Sequence, residues 1–375
     1  MSNTFKGVAV FAAAGAMLLA GCSTDRGGED PGSTTGATGS PTADGGVCIE
    51  EGATIGVALP QKTSENWVLA EELFNDGLTE AGFNPIVQFG NSGVTEQQNQ
   101  ISAMVEQDAQ VIVVGAIDGS QLGSQLETAA DAGATIIAYD RLVKNTEAVD
   151  AYIAFDNFQV GVLQGEALLQ GLAERKGEGP YNIELIAGSA DDANSIPFFE
   201  GAMSVLQPKI DDGTLTVVSG QTTFEQAATA GWQAQNAQTR MDTILSGSYS
   251  GDTELHGVLS PNDTLARAAL TSVDQAGKDT PVITGQDSEV ESVKSIVAGE
   301  QYSTIYKDTR ELVAQTIASV EALAACGEIP VNDTEQYDNG VKVVPAYLLE
   351  PKIVTQENAA EVYANDPTLG PLTEG

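Results

Sequence analysis

The chain has 375 residues, 42% hydrophobic and 18% charged, enough for one large or two medium domains with real cores, so wholesale disorder is excluded. Its 53 acidic against 16 basic side chains give a net charge of -37, which repels nucleic-acid phosphates and anionic headgroups and excludes nucleic-acid binding. A single histidine, His256, rules out a multi-histidine metal site and two-histidine catalysis, and neither a metal nor a cofactor is expected.

At the start of the chain, Lys6 precedes an apolar run from Val8 to Ala20, short for a bilayer span and of the length of a secretory core segment. The run ends in Leu19-Ala20-Gly21-Cys22, which resembles the lipobox of bacterial lipoproteins. That resemblance implies a signal peptide over 1–21, cleaved ahead of a diacylated Cys22, and a mature protein that is extracytoplasmic and held to the cell membrane by lipid. Between Ser23 and Gly46 the composition shifts to Gly, Ser, Thr, Asp and Pro with no large apolar residue, the mark of a flexible linker over 22–47. Two further cysteines, Cys48 and Cys326, are expected to pair as a disulfide in an oxidising exported setting.

Beyond the linker, short apolar runs alternate with helical periodicity. Thr54 to Leu59 reads as a strand, Glu65 to Glu80 as a helix, Pro85 to Phe89 as a strand and Glu96 to Glu106 as a helix. Strands follow at Val111 to Ala116, Thr135 to Tyr139 and Tyr152 to Phe155, then at Asn182 to Ala187, Leu215 to Ser219, Leu255 to Ser260, Pro281 to Thr284 and Ser303 to Tyr306. Continuous apolar strands between amphipathic helices predict an α/β fold with parallel sheets covered on both faces, and their number calls for two Rossmann-like lobes.

In open α/β sheets ligands bind beyond the carboxyl ends of the strands. Here those ends are polar: Asp118, Asp140-Arg141, Asp156-Asn157, Asp191-Asp192 with Asn194, Asn262-Asp263, Asp287 and Lys307. Helix capping explains any one of them. It does not call for an arginine beside an aspartate or a lysine ending an apolar strand, so the set reads as a site. Ionised Asp only accepts hydrogen bonds, Arg and Lys only donate, and Asn does both, as a sugar hydroxyl does. Trp67 and Trp232, each placed early in a helix, offer flat faces for a sugar ring. No phosphate loop or GxSxG elbow occurs, and His256 reads as a packed strand residue. Two of Asp192, Asp263 and Asp287 would qualify as a glycosidase pair, but neighbouring cations and amides are expected to hold them ionised, whereas an acid catalyst needs a raised pKa.

The stretches AYDRL, FDNFQVGVLQGEAL (155–168), GPYNIELIAGSADDAN (179–194), LSPNDTLA (259–266), GQDSEVESVKSIVAGEQYSTIYKDTREL (285–312) and NGVKVVPAYLLEP (339–351) closely resemble the sugar-binding proteins of ABC importers. Within that family the similarity is to multiple-sugar receptors of the ChvE type and, more distantly, to xylose-binding proteins. The resemblance covers about 53–360 and implies the type I periplasmic-binding-protein fold, two lobes joined by a three-crossover hinge. It places lobe one at 48–156 plus 309–337 and lobe two at 157–307 plus 341–365, with a tail at 366–375. Carried over motif by motif, it implies ligand contacts from Asp140 and Arg141, Asp192 and Asn194, Trp232 as the ring-stacking aromatic, Asn262, Asp287 and Lys307. Asn66 and Trp67 occupy the first-helix position where relatives often carry an arginine before the tryptophan, so the resemblance does not extend to the exact sugar. The crossovers also return the helix ending at Cys326 to the lobe that begins at Cys48. The implied protein is a non-enzyme, a monomer that binds a monosaccharide by hinge closure and delivers it to an ABC permease and its ATPase; the alternative is presentation of bound sugar to a membrane sensor kinase.

Overall fold

Residues with side chains alternating between two apolar layers become the strands, as the period of two in an extended chain requires. In the computed structural model, which describes residues 48–374 apart from Thr63, the first sheet is built this way. The expected signal segment 1–21, Cys22 and the linker 22–47 lie outside the described residues. Strands β1 (Thr54–Leu59), β2 (Asn84–Phe89), β3 (Ala109–Val114), β4 (Thr135–Tyr139), β5 (Ala151–Phe155) and β11 (Ala346–Leu349) pair in parallel in the order β11-β5-β4-β3-β1-β2. Val57 and Leu59 face one layer, with Trp67, Phe74 and Leu78 of α1 (Glu65–Glu80) and Leu312 and Val320 of α10 (Thr309–Ala324). Ala58 between them faces the other layer, with Ile101 and Met104 of α2 (Val94–Glu106) and Leu126 of α3 (Gly123–Asp131). Full burial of a side chain such as Phe74 contributes about 1.5–3 kcal/mol.

The second sheet repeats the scheme with shorter strands: β6 (Tyr181–Leu185), β7 (Leu215–Val217), β8 (Gly257–Leu259) and β9 (Val282–Ile283), parallel in the order β7-β6-β8-β9. Helices α4 (Asn157–Lys176) and α5 (Ser195–Asp211) bury Leu168, Leu172, Ala202 and Leu206 on one face. After the one-turn helix α6 (Phe224–Ala227), helices α7 (Ala234–Ser248) and α8 (Asp263–Gln275) bury Met241, Ile244, Leu265 and Ala269 on the other. Beside this sheet, β10 (Ser303–Tyr306) pairs antiparallel with β12 (Lys352–Thr355), and α9 (Val290–Val297) packs next to them. The chain passes between the two halves three times, at Asp156, at Lys307-Asp308 and at Glu350-Pro351. Two of these passages are also helix caps: Asp156 accepts from Gln159 N and Asp308 from Arg310 N, so the chain changes lobe where a helix starts.

Three expectations change. Residues 341–365 do not all belong with the second lobe, because β11 joins the first sheet beside β5 and the third passage follows it. Trp232 is not in a helix; it ends the 3-10 turn Ala230–Trp232, with φ 54°, ahead of α7. His256 is half-buried just before β8, where it accepts from Asn182 N and lies 3.2 Å from Glu254, rather than packed inside a strand. Cys48 and Cys326 form a disulfide, with Cα atoms 4.4 Å apart, and Ile49 N donates to Leu323 O beside it.

Candidate functional site

The carboxyl ends of the strands from both sheets converge on one polar cleft. On the first-sheet side, β4 ends at Tyr139 and the backbone turns sharply at Asp140, φ 60°. That turn aims Arg141 across the cleft floor. Its guanidinium donates to Ala116 O at 3.0 Å and lies 5.3 Å over the Trp67 ring, so it is held by a carbonyl and an aromatic face. Trp67 sits in the first turn of α1, buried, and the Ser64 hydroxyl donates to the neighbouring Asn66 side chain.

From the second sheet, the Asp192 carboxylate accepts hydrogen bonds from Trp232 Nε1 at 3.0 Å and Asn194 N at 2.9 Å, and forms an ion pair with Arg141, whose Nε lies 2.9 Å away. Trp232 can lie flat here because Gly188 is beneath it; a Cβ at that position would come within 2.3 Å of the indole. Asn194 donates to Asp140 O at 2.8 Å, and its own oxygen accepts from Tyr152 and Asn157 at 3.1 and 3.0 Å. Asn262 caps α8 through its oxygen, bonded to Leu265 N, which leaves its NH2 group with no protein partner among the described residues. Asp287, at φ 91°, projects from the loop after β9. Lys307, at the second chain passage, lies 3.3 Å from Asp287 Oδ1 and 3.7 Å from Asp140 Oδ2.

Charge and burial compete in this cleft. Burial raises the Asp192 carboxyl above the usual aspartate value despite Arg141, and it raises Asp287 despite Lys307. Burial also works against the Lys307 ammonium, but Asp140 and Asp287 outweigh it and hold its pKa above the usual lysine value. The expectation that cations and amides keep these carboxyls low therefore fails, because desolvation of the buried oxygens outweighs the nearby cations and donors.

All ten sequence-predicted ligand positions line this cleft: Asn66, Trp67, Asp140, Arg141, Asp192, Asn194, Trp232, Asn262, Asp287 and Lys307. The sequence reading missed Ser64, Phe198 and Gln286. Phe198 follows Asn194 by one helical turn in α5, a spacing that could have shown it facing the same way. Gln286 stands between two residues of the GQD segment, and its buried Oε1 has no hydrogen-bond partner among the described residues. With carboxylates, amides and cations on facing walls and two indoles beside them, the cleft can saturate a small polyhydroxylated ring.

The model of the periplasmic binding protein domain matches residues 55–329. The chain is 46% identical to the multiple sugar-binding periplasmic receptor ChvE of Rhizobium radiobacter, over 82% of this chain and 88% of that protein. It is 31% identical to the D-xylose-binding periplasmic protein of Escherichia coli, over 83% and 89%. A solute-binding protein of an ABC transporter from Clostridium phytofermentans, solved with bound β-D-glucose, superimposes with a TM-score of 0.82 at 37% identity, over 86% of this chain and 100% of that one. Two doubly covered parallel sheets, a polar cleft at their carboxyl ends and these similarities lead to one conclusion: the chain belongs to the periplasmic binding protein family, among its sugar-binding members.

Proposed function

We propose that this protein is an extracytoplasmic sugar receptor that captures a monosaccharide, an aldose such as glucose, galactose, xylose or arabinose, between two closing lobes. One observation carries the reading: donors and acceptors for a sugar are divided between the two sheets, yet bond to one another across the cleft. Arg141 and Asp140 come from the first sheet, while Asp192, Asn194 and Asp287 come from the second. A sugar seated between them would gain most of its contacts only when the lobes are shut, which is the differential affinity that drives closure. Relatives whose names record glucose and D-xylose as ligands support the same class.

The cleft binds rather than cleaves in this reading. Asp192 accepts from Trp232 Nε1 and Asn194 N and faces Arg141 Nε at 2.9 Å, while Asp287 lies 3.3 Å from Lys307, so each carboxylate stands beside a cation that a sugar hydroxyl can join as a further hydrogen-bonding partner. The closed protein would then hand its sugar to an ABC permease with its ATPase, and the Leu19-to-Cys22 segment supports a lipid tether that keeps the receptor near that complex. Titration calorimetry of the purified protein with D-glucose, D-galactose, D-xylose and L-arabinose tests the proposal. One-to-one binding of at least one aldose, with a smaller radius of gyration in solution scattering when bound, is expected. Failure of all four to bind, or steady release of product from a chromogenic glycoside, would overturn it.

A further inference from the structure

Asp287 reaches the cleft from a loop in which two consecutive non-glycine residues, Asp287 and Ser288, adopt left-handed backbone, φ 91° and 53°. Such conformations persist only where the surroundings over-determine them. The surroundings here converge on Asp263, the first residue of α8, which is fully buried and does not line the cleft.

Every peptide N–H of the strained stretch is accounted for. Asp287 N donates to Ile305 O at 2.9 Å, Ser288 N to Thr304 Oγ1 at 3.2 Å, and Glu289 N to Asp263 Oδ2 at 2.9 Å. The Thr304 hydroxyl passes its own hydrogen to the same Asp263 oxygen at 3.0 Å, and Gln301 Nε2 donates to the other oxygen at 2.8 Å. Asp263 N in turn donates to Gln286 O at 3.0 Å. One residue therefore holds the loop from both sides of Asp287, by its backbone before it and by its carboxylate after it. The fit is close: a Cβ on Gly285 would fall 2.0 Å from Asp263 Oδ1.

We infer that Asp263 is a positioning residue for sugar binding, fixing the Gly285-to-Glu289 loop so that Gln286 and Asp287 point into the cleft. The inference rests on the sugar-binding reading of that cleft. The donor set explains why an acid is needed, since two oxygens meet three donors and an asparagine would turn its NH2 group toward at least one of them. The cost to the fold supports the same view. Burial raises the Asp263 pKa well above the usual value and the nearby Glu289 and Asp287 push it further, so an ionised acid here is a burden to stability.

The test compares Asp263→Asn and Thr304→Val with wild type, using whichever of the four aldoses wild type binds most tightly. Asp263→Asn is expected to weaken binding at least about tenfold, equivalent to about 1.4 kcal/mol. Thr304→Val, which removes one donor and the partner of Ser288 N, should weaken it less. In an Asp287→Ala background both losses should shrink to under about threefold, because the loop no longer presents the group they position. A purely structural role would instead give the same loss in both backgrounds, and that result overturns the inference, as does unchanged affinity. Should Asp263→Asn fail to fold, Thr304→Val carries the same comparison. Hydrogen exchange separates this from the functional reading. Faster exchange at Ser288 and Glu289 in the variants is expected whether or not a sugar binds, and unchanged exchange there would refute the positioning role by itself.

Discussion

Replacing Asp192 by asparagine should separate binding from stability. The carboxylate accepts from Trp232 Nε1 and Asn194 N and is ion-paired with Arg141, and that ion pair joins the two lobes. An amide keeps one acceptor oxygen and turns its NH2 toward the remaining donors. Breaking one side of a buried ion pair costs about 3–5 kcal/mol and the retained oxygen reduces that to about 3 kcal/mol; because the pair spans the two lobes, hinge closure places this cost on the closed, sugar-bound form, and the open form is spared it. Since each 1.4 kcal/mol is a factor of ten, the sugar Kd should rise by about two decades. Stability should move differently. Burial holds the Asp192 carboxyl above its usual value near 3.8, so its ionised form is a penalty to the folded state. That penalty is absent below the ordinary aspartate pKa and fully present above the raised one, and the uncharged amide escapes it at neutral pH. Unliganded Asp192→Asn should therefore melt no more than about 2 °C below wild type, and should lose the part of wild type's relative gain on acidification that Asp192 supplies. Calorimetry for the Kd and thermal melts at pH 4 to 8 measure both. Affinity within about threefold of wild type, or a melting point lower by more than about 4 °C, would refute the reasoning.

Trp232→Ala should weaken sugar binding by about 1–3 kcal/mol without unfolding the protein, because it removes both a ring face and the indole donor to Asp192 from a half-buried turn; circular dichroism and calorimetry check the two halves of that statement. Cys48→Ser should lower the melting temperature, since the 278-residue separation gives a chain-entropy contribution on the order of 5 kcal/mol, and alkylation without reductant should label neither Cys48 nor Cys326 in wild type. Cys22→Ser should abolish incorporation of a clickable fatty acid and release the protein from membranes; equal labelling of both proteins would end the lipoprotein assignment.

The central strands were legible because each is an apolar run ended by Asp, Gly or Pro, and β1, β4 and β10 occupy the spans their runs predict. Strand β11 was not read from its own pattern, because Ala346–Leu349 is a short run near the end of the chain and its place beside β5 depends on pairing with a residue almost two hundred positions earlier. Seven of the ten cleft residues could be named because charged and amide side chains collect at strand ends beyond what capping needs, Trp67 and Trp232 because they are the chain's two tryptophans, and Asn66 only through the family resemblance. For Phe198 the one-turn spacing from Asn194 gives the direction but not the role, since an inward aromatic in an amphipathic helix looks the same whether it meets a core or a ligand. Asp263 was visible, but its sequence neighbours suggest a helix start. Only the fold reveals that Thr304 and Gln301, some forty residues away, point their donors at it.

The disulfide has a mechanical consequence. Cys48 lies six residues ahead of β1, which is inside the first sheet between β3 and β2. Without the bond, tension applied ahead of Cys48 would load β1 directly, and drawing out an interior strand exposes both of its neighbours. With the bond in place, force reaching Cys48 branches into Cys326 and spreads along α10, whose Leu312, Val313, Val320 and Leu323 are packed against the sheet. The load is borne in shear by a buried helix face, and the strand that leads toward the cleft stays slack.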